Sequence, residues 1–326
     1  MRFAVDPWDP AYGASLATEL GESAAQVVLD VEVPAAQWRL IAPDPSAAPP
    51  EAVLFVDGVR RVDAQVWVEE PGHAAPALCA SYAAGVVCCC GDGAHLLAAD
   101  VRRGLFTTAS DAADVVTAAG AYRAVSCRTA SSHTGGRSDV APGQLLSLAL
   151  QRELAEAELA AALTARESVA GWADNGADDL LVIDGPLRGR QHLPRAIGFV
   201  KTHRSDYLPA QLGGVVAALR SGERTPVFRL GSSWERHTWY LRLPCRPGTP
   251  WAGIVRVECS AELPAADAIA LATRSQVTLV RFASTEYKDA RAPQNLYPIA
   301  GLERELRRRL GEPNMLYRAL RRAAAA

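Results

Sequence analysis

Two apolar runs, VLFVDG at residues 53–58 and LLVIDG at residues 180–185, each close on Asp-Gly, and a stretch of strong helix formers beginning at Gln144 lies between them, free of Gly and Pro until Gly171. Strands that are apolar on both faces need a covering layer on each side, so this order directs the chain towards a mixed sheet with helices packed on it. AVLFVDG reads as a buried strand stopping at Asp57-Gly58, and RRVDAQVWVEE as a second strand starting almost at once, which makes a tight hairpin. PALCASYAAGVVCCC, rich in small and β-branched residues, would complete a three-stranded antiparallel meander. Further strand signals occur in TPVFRLG, HTWYLRLPC and GIVRVEC, and AADAIALATRSQ and GLERELRRRL read as helices. The fold class expected is α/β: a mixed sheet, antiparallel meander plus parallel strands, with flanking helices.

Ahead of these elements lie a helical reading over Ala14 to Gln26, the strand-like VVLDVEV and the Pro- and Ala-dense loop IAPDPSAAPPE. That composition suggests an N-terminal arm and linker over 1–48, with one domain over 49–326. RTASSHTGGRSDVAPG reads as a flexible surface loop. With 326 residues, about half of them apolar, a large core is within reach. Lys plus Arg number 34 against 36 Asp plus Glu, so nothing in the overall charge attracts phosphate, and a nucleic-acid site must be a local groove. The start, MRFAVDPWDPAYG, lacks a basic region followed by an apolar one, and no stretch approaches 18 uncharged apolar residues. A cytoplasmic protein without a membrane partner is expected. The seven cysteines, at 79, 88, 89, 90, 127, 245 and 259, contain no C-x-x-C pair and read as reduced, mostly buried thiols.

A carboxylate at the end of a buried strand sits where ligands gather in α/β folds, and a glycine beside it leaves room for a turn or a substrate. Asp57 and Asp184 on neighbouring strands would offer hard oxygen ligands to Mg²⁺ or Mn²⁺. Asp-Gly is also ordinary turn chemistry, which explains either occurrence singly. On the long helix Leu145, Leu148, Leu159 and Leu163 define a stripe that contains Glu156, while Glu158 projects elsewhere. Glu156 is either a third ligand or the partner of Arg152 at the helix edge, with Glu153 the nearest substitute and Glu167 near the helix end. After Asp184, residues Arg188, Arg190, Arg195, Lys201, His203 and Arg204 cluster in an otherwise balanced chain, either as a phosphate grip or as a solvated basic loop. Lys201 follows the apolar run IGFV, which would aim it.

VLFVDGVRR, LLVIDGPLRGR, AIGFVKTH, TWYLRL, GIVRVE and NLYPIAGLEREL, spread over about residues 50 to 312, resemble NurA-type nucleases in order and spacing. The resemblance implies an RNase H-like fold, Mn²⁺-dependent nuclease activity on DNA in end processing and repair, a homodimer, and cooperation with a HerA-type hexameric ATPase. It places Asp57, Asp184 and Glu156 at the family's acidic positions, Lys201 at a basic one and Tyr240 at an active-site tyrosine; a strand aromatic also serves as core. The family's C-terminal histidine is missing, since all six histidines lie at or before 237. Glu303 occupies roughly its place, as an oxygen ligand that favours Mg²⁺ or Mn²⁺ or as an ordinary helix charge.

The reaction expected is hydrolysis of DNA phosphodiesters, exonucleolytic or on single strands, with metal held by Asp57, Asp184, Glu156 and Glu303. Arg188, Arg190, Lys201 and Arg204 would contact the nucleic acid. The alternatives are a catalytically degenerate scaffold on the same fold that binds DNA or an ATPase, and a phosphatase acting on small phosphoesters. No P-loop, G-x-S-x-G elbow or G-x-G-x-x-G after a strand is present.

Overall fold

A computed structural model describes residues 16–22, 25–70, 72–127, 141–170, 178–246 and 248–325. They group into two compact units. The first comprises 1–55, 87–95 and 169–301, and the second comprises 56–86, 96–168 and 302–326. Most of the loop reading over 128–143 lies outside the described residues.

The first unit is built on strands β2 (Gln26–Val28), the start of β3 (Ala52–Glu70), β8 (Asp179–Asp184), β9 (Ala196–Val200), β11 (Phe228–Gly231), β12 (Glu235–Arg242) and β13 (Ile254–Ser260). Their order is β2-β11-β12-β13-β9-β8-β3. Strands β8 and β9 are parallel, with Asp184 opposite Phe199, whereas β13 runs antiparallel to β9 and β12 to β13. Alternation along each strand sends Val53 and Phe55, Leu180 and Val182, Ile197 and Phe199, and Val255 and Val257 to one face. There they form one core with Ala268 and Ala272 of α3 (Ala265–Leu279), with Leu296, and with Ile299 of α4 (Tyr297–Arg309). The opposite face carries a second core, Phe228, Leu230, Tyr240 and Ile254, against which Val27, Leu29, Trp38 and Leu40 pack. Residues 16–22, expected to be helical, form instead strand β1 (Leu16–Glu22), parallel to β10 (His203–Asp206). Pairing with an available edge outweighs local helix propensity there.

The second unit continues β3 and adds β4 (His73–Cys90), β5 (Gly93–Thr107), β6 (Val115–Thr117) and β7 (Gly120–Ser126), in the order β3-β4-β5-β7-β6. Helix α1 (Pro142–Ala170) belongs to it almost entirely, and α5 (Pro313–Ala323) closes it. The mixed α/β class expected is observed, with a meander, parallel strands and flanking helices. The meander is assembled differently from the expectation. No hairpin forms at Asp57-Gly58, because β3 runs unbroken through both residues; the meander is β3, β4 and β5, with β4 in the middle. The burial of β3 changes there from two-sided, over Ala52–Asp57, to mostly alternating beyond Val59, and that change is what the sequence presented as a strand end.

All seven cysteines are free thiols, and burial pushes Cys79 and Cys259 up to about 12. Among the described residues no helix is long and apolar enough to cross a membrane. In the first unit His203 is buried, its Nε2 donating to the Ile254 carbonyl at 3.1 Å. Burial lowers its pKa from 6.5 to about 4. Between those values the unfolded chain binds a proton that the native state refuses, so stability falls as pH drops from about 6.5 to about 4 and is unaffected by this group above. Urea denaturation should show about 2 kcal/mol less stability at pH 5 than at pH 7 from this residue, and His203→Gln should remove that difference.

Candidate metal centre

The same alternation that builds the first core sets out the polar residues at its edge. Asp57 continues the row Val53, Phe55; Asp184 continues Leu180, Val182; and Lys201 continues Ile197, Phe199. The Ala52 amide donates to the Asp178 carbonyl at 3.2 Å, so β3 and β8 start side by side. Glu303 lies one turn beyond Ile299 on α4, and Ile299 is anchored in the same core.

One carboxylate oxygen from each of Asp57, Asp184 and Glu303 lies within 4.8 Å of the others. Asp57 is buried, and its Oδ1 accepts the Gly58 amide at 2.7 Å. Asp184 Oδ2 accepts from Lys201 Nζ at 2.6 Å, whereas Oδ1 is buried and, among the described residues, has no hydrogen-bond partner. A desolvated carboxylate oxygen left in that state is costly unless a cation meets it. Mg²⁺ and Mn²⁺ hold oxygen ligands at ~2 Å, which sets donors up to roughly 4 Å apart, so this all-oxygen trio fits such an ion after a small movement. Lys201 is fixed from a second side, donating to Asn295 Oδ1 at 3.1 Å, and Asn295 in turn donates to Asp289 Oδ2 at 2.9 Å.

Beside Asp184 opens a groove of about 610 Å³ lined by Lys201, His203, Tyr207, Arg256 and Arg291. Arg256 belongs to a buried network: its Nη1 donates to Glu258 Oε2 at 2.6 Å, Arg236 Nε lies 3.3 Å from the same oxygen, and Tyr207 packs on both guanidinium groups. Burial is the largest influence on the Arg256 pKa and would lower it, but Glu258, Tyr240 and Tyr207 together raise the value. Glu258 Oε1 also accepts the Leu187 amide at 2.7 Å, so the network steadies the turn that follows Asp184. Gly198, opposite Glu258, is a close approach in that arrangement: an added Cβ would lie 2.7 Å from the Leu187 nitrogen and 2.9 Å from the Gly185 oxygen. Both are backbone atoms, so Gly198→Ala is expected to displace the Asp184 turn, to cost about 1–3 kcal/mol in denaturant melts and to weaken divalent binding.

The other residues singled out in the sequence fare differently. Glu156 is exposed, and the carboxylate that α1 buries is Glu158, which with Leu154 lies against Gly58. The packed stripe runs through Leu146, Leu150, Leu154, Ala157, Ala161 and Ala165, while Leu148 and Leu163 face solvent. Arg152 pairs with Glu153 at 3.9 Å rather than with Glu156. Tyr240 faces the opposite side of the sheet from Asp184, packed against Phe228 and Trp251, and burial raises its pKa. It is core. Arg188 is exposed, Arg190 is buried, Arg195 pairs with Asp179, and the Arg204 side chain lies outside the described residues. Of the basic cluster, Lys201 and His203 line the groove, joined there by Arg256 and Arg291. Arg256 was not legible in the sequence because an alternating strand such as GIVRVEC reads as half-solvated.

No family model matches the chain, and no curated protein matches it. Two solved structures are similar to it. The NurA nuclease from Sulfolobus solfataricus is 10% identical over 84% of this chain and 84% of its own, with a TM-score of 0.39. The catalytic domain of human endonuclease V is 14% identical over 83% of this chain and 91% of its own, with a TM-score of 0.34. At that identity and score neither fixes the activity of this chain.

Proposed function

We propose that the protein is a divalent-metal-dependent nuclease that hydrolyses DNA phosphodiesters, with Asp57, Asp184 and Glu303 as the metal ligands and Mn²⁺ or Mg²⁺ as the ion. The observation that carries the reading is the buried Asp184 Oδ1, without a hydrogen-bond partner among the described residues, in a trio of carboxylates that bring one oxygen each within 4.8 Å. When bound, the ion polarises a phosphoryl oxygen and makes water a competent nucleophile near neutral pH. Lys201 holds Asp184 in place and puts a positive charge beside a phosphate entering the groove. Arg256, paired with Glu258, lines the groove as a second cation. Because these charges are concentrated locally, a chain of net charge −2 still attracts a polyanion. A role in DNA-end processing, a second copy and a HerA-type ATPase remain proposed context and partners.

Labelled single- and double-stranded DNA incubated with Mn²⁺, Mg²⁺ or EDTA tests the reading: cleavage with metal and none in EDTA is expected. Binding without cleavage in any divalent metal would overturn it in favour of a scaffold. Lys201→Met is expected to weaken DNA binding and to reduce the slope of log affinity against log salt by about one, since it removes one phosphate-neutralising charge.

A further inference from the structure

A second cavity, of about 230 Å³, lies in the first unit and has no part in the metal centre. It is lined by Pro244, Cys245 and Pro293 together with Arg246, Glu286 and Tyr287. Ser284 also lines it, 3% exposed, with an Oγ that has no hydrogen-bond partner among the described residues. The neighbouring polar groups are committed elsewhere. The Thr285 hydroxyl is 2.7 Å from the Tyr297 hydroxyl, and the Cys245 thiol points at the Ala252 carbonyl at 3.6 Å. Ser284 is therefore a buried donor and acceptor waiting in an otherwise apolar hole, which is costly unless something polar enters.

Size, walls and position restrict the occupant. The volume falls below the ~300 Å³ at which pockets begin to take drug-sized ligands, so one ring system fits and a sugar with its phosphate stays outside. Proline walls suit a flat ring, and Tyr287 at the mouth is 80% exposed, with Lys288 Nζ 5.5 Å from its ring centre. One short segment, 284–295, supplies residues to both the cavity and the groove region. Arg291 lines the groove, Pro293 lines the cavity, Asn295 receives Lys201, and the Ser284 amide is bonded to the Pro293 carbonyl. Arg246 at the cavity and Lys288 beside Tyr287 offer positive charge to a strand leaving it, and the Glu286 carboxylate repels phosphate on its own side.

We propose that this cavity receives one unpaired nucleobase of a DNA strand whose backbone lies in the groove beside Asp184 and Lys201, with Tyr287 stacking at the mouth and Ser284 bonding the base edge. The proposal rests on the nuclease reading. A serine hydroxyl both donates and accepts, so the pocket demands a flat ring rather than a particular base. Capture of a base outside a duplex makes single-stranded or frayed DNA the preferred substrate, since the unstacking cost is already met there.

The test is anisotropy of short fluorescein-labelled single-stranded DNA in EDTA, with one abasic site moved along the strand, using the full chain and its Tyr287→Ala variant. The expected result is a single position at which losing the base weakens binding about tenfold. Tyr287→Ala should weaken the intact strand by a similar factor and the sensitive abasic strand hardly at all. Tyr287 is exposed, so circular dichroism of the variant should match the parent. Abasic strands that bind as tightly as the intact one at every position would overturn the base pocket while leaving the nuclease reading untouched. So would a Tyr287→Ala loss that is equal on both strands. Absence of any DNA binding would overturn both.

Discussion

Asp57→Asn and Asp184→Asn are each expected to lower metal-dependent DNA cleavage on the order of a thousandfold while leaving the metal-free fold as stable as before or more so. The size follows from the several kcal/mol of charge stabilisation that a catalytic cation supplies, at a factor of ten for each ~1.4 kcal/mol. The sign of the stability change follows from the geometry: three carboxylates within 4.8 Å repel one another without a cation, and an amide of the same shape relieves that repulsion. Asp184→Asn has a cost of its own, because Lys201 loses its charged partner at 2.6 Å, so its gain should be the smaller of the two. Rates on labelled DNA with Mn²⁺, set beside thermal melts in EDTA, separate the two effects. A variant that loses activity and also loses several degrees in EDTA would point to a structural role for the aspartate.

Glu258→Ala carries the largest expected effect on stability, a loss of about 3–5 kcal/mol. Glu258 is fully buried, and its removal leaves Arg236 and Arg256 as two uncompensated guanidinium groups, each under a tenth exposed. Burial and the nearby Arg256 already lower the Arg236 pKa, so no reserve exists to absorb the loss. The Leu187 amide loses its acceptor in the same step. Glu258→Gln keeps an acceptor for Leu187 but not the charge, and should fall between parent and alanine variant. Denaturant melts give the order; equal stability of Glu258→Ala and the parent would mean that the arginines find water or other partners. The turn after Asp184 depends on this network, so both variants should also bind divalent metal more weakly than the parent.

What the sequence disclosed depended on how each residue's environment writes itself into local pattern. Continuous apolar runs mark strands buried on both faces, and the two carboxylates interrupting them stood out for that reason. Lys201 was visible by the same logic, since the row Ile197, Phe199, Lys201 changes character at the groove. Helix α1 was legible as a helix but not in its orientation. Alanines carry much of its packed face, at Ala149, Ala157, Ala161 and Ala165, so a stripe drawn through leucines selected Glu156 instead of Glu158. Asp57-Gly58 resembles a turn because glycine serves turns and close approaches alike, and here it admits Leu154 and Glu158 of α1. The buried charges of β13 could not be recognised, because polar residues alternating along a strand ordinarily mean solvent. Arg256 and Glu258 instead pair with one another across that face. Asn295 and Ser284 lie in irregular segments whose placement depends on contacts distant in the chain.

Binding of Mn²⁺ by the protein alone, followed by the loss of the free ion's EPR signal, addresses the metal centre without relying on any substrate. Saturable binding by the parent chain and by Glu156→Gln is expected, with binding abolished in the Asp57→Asn, Asp184→Asn double variant. Equal Mn²⁺ binding by the double variant and the parent would show that these carboxylates are not the metal centre.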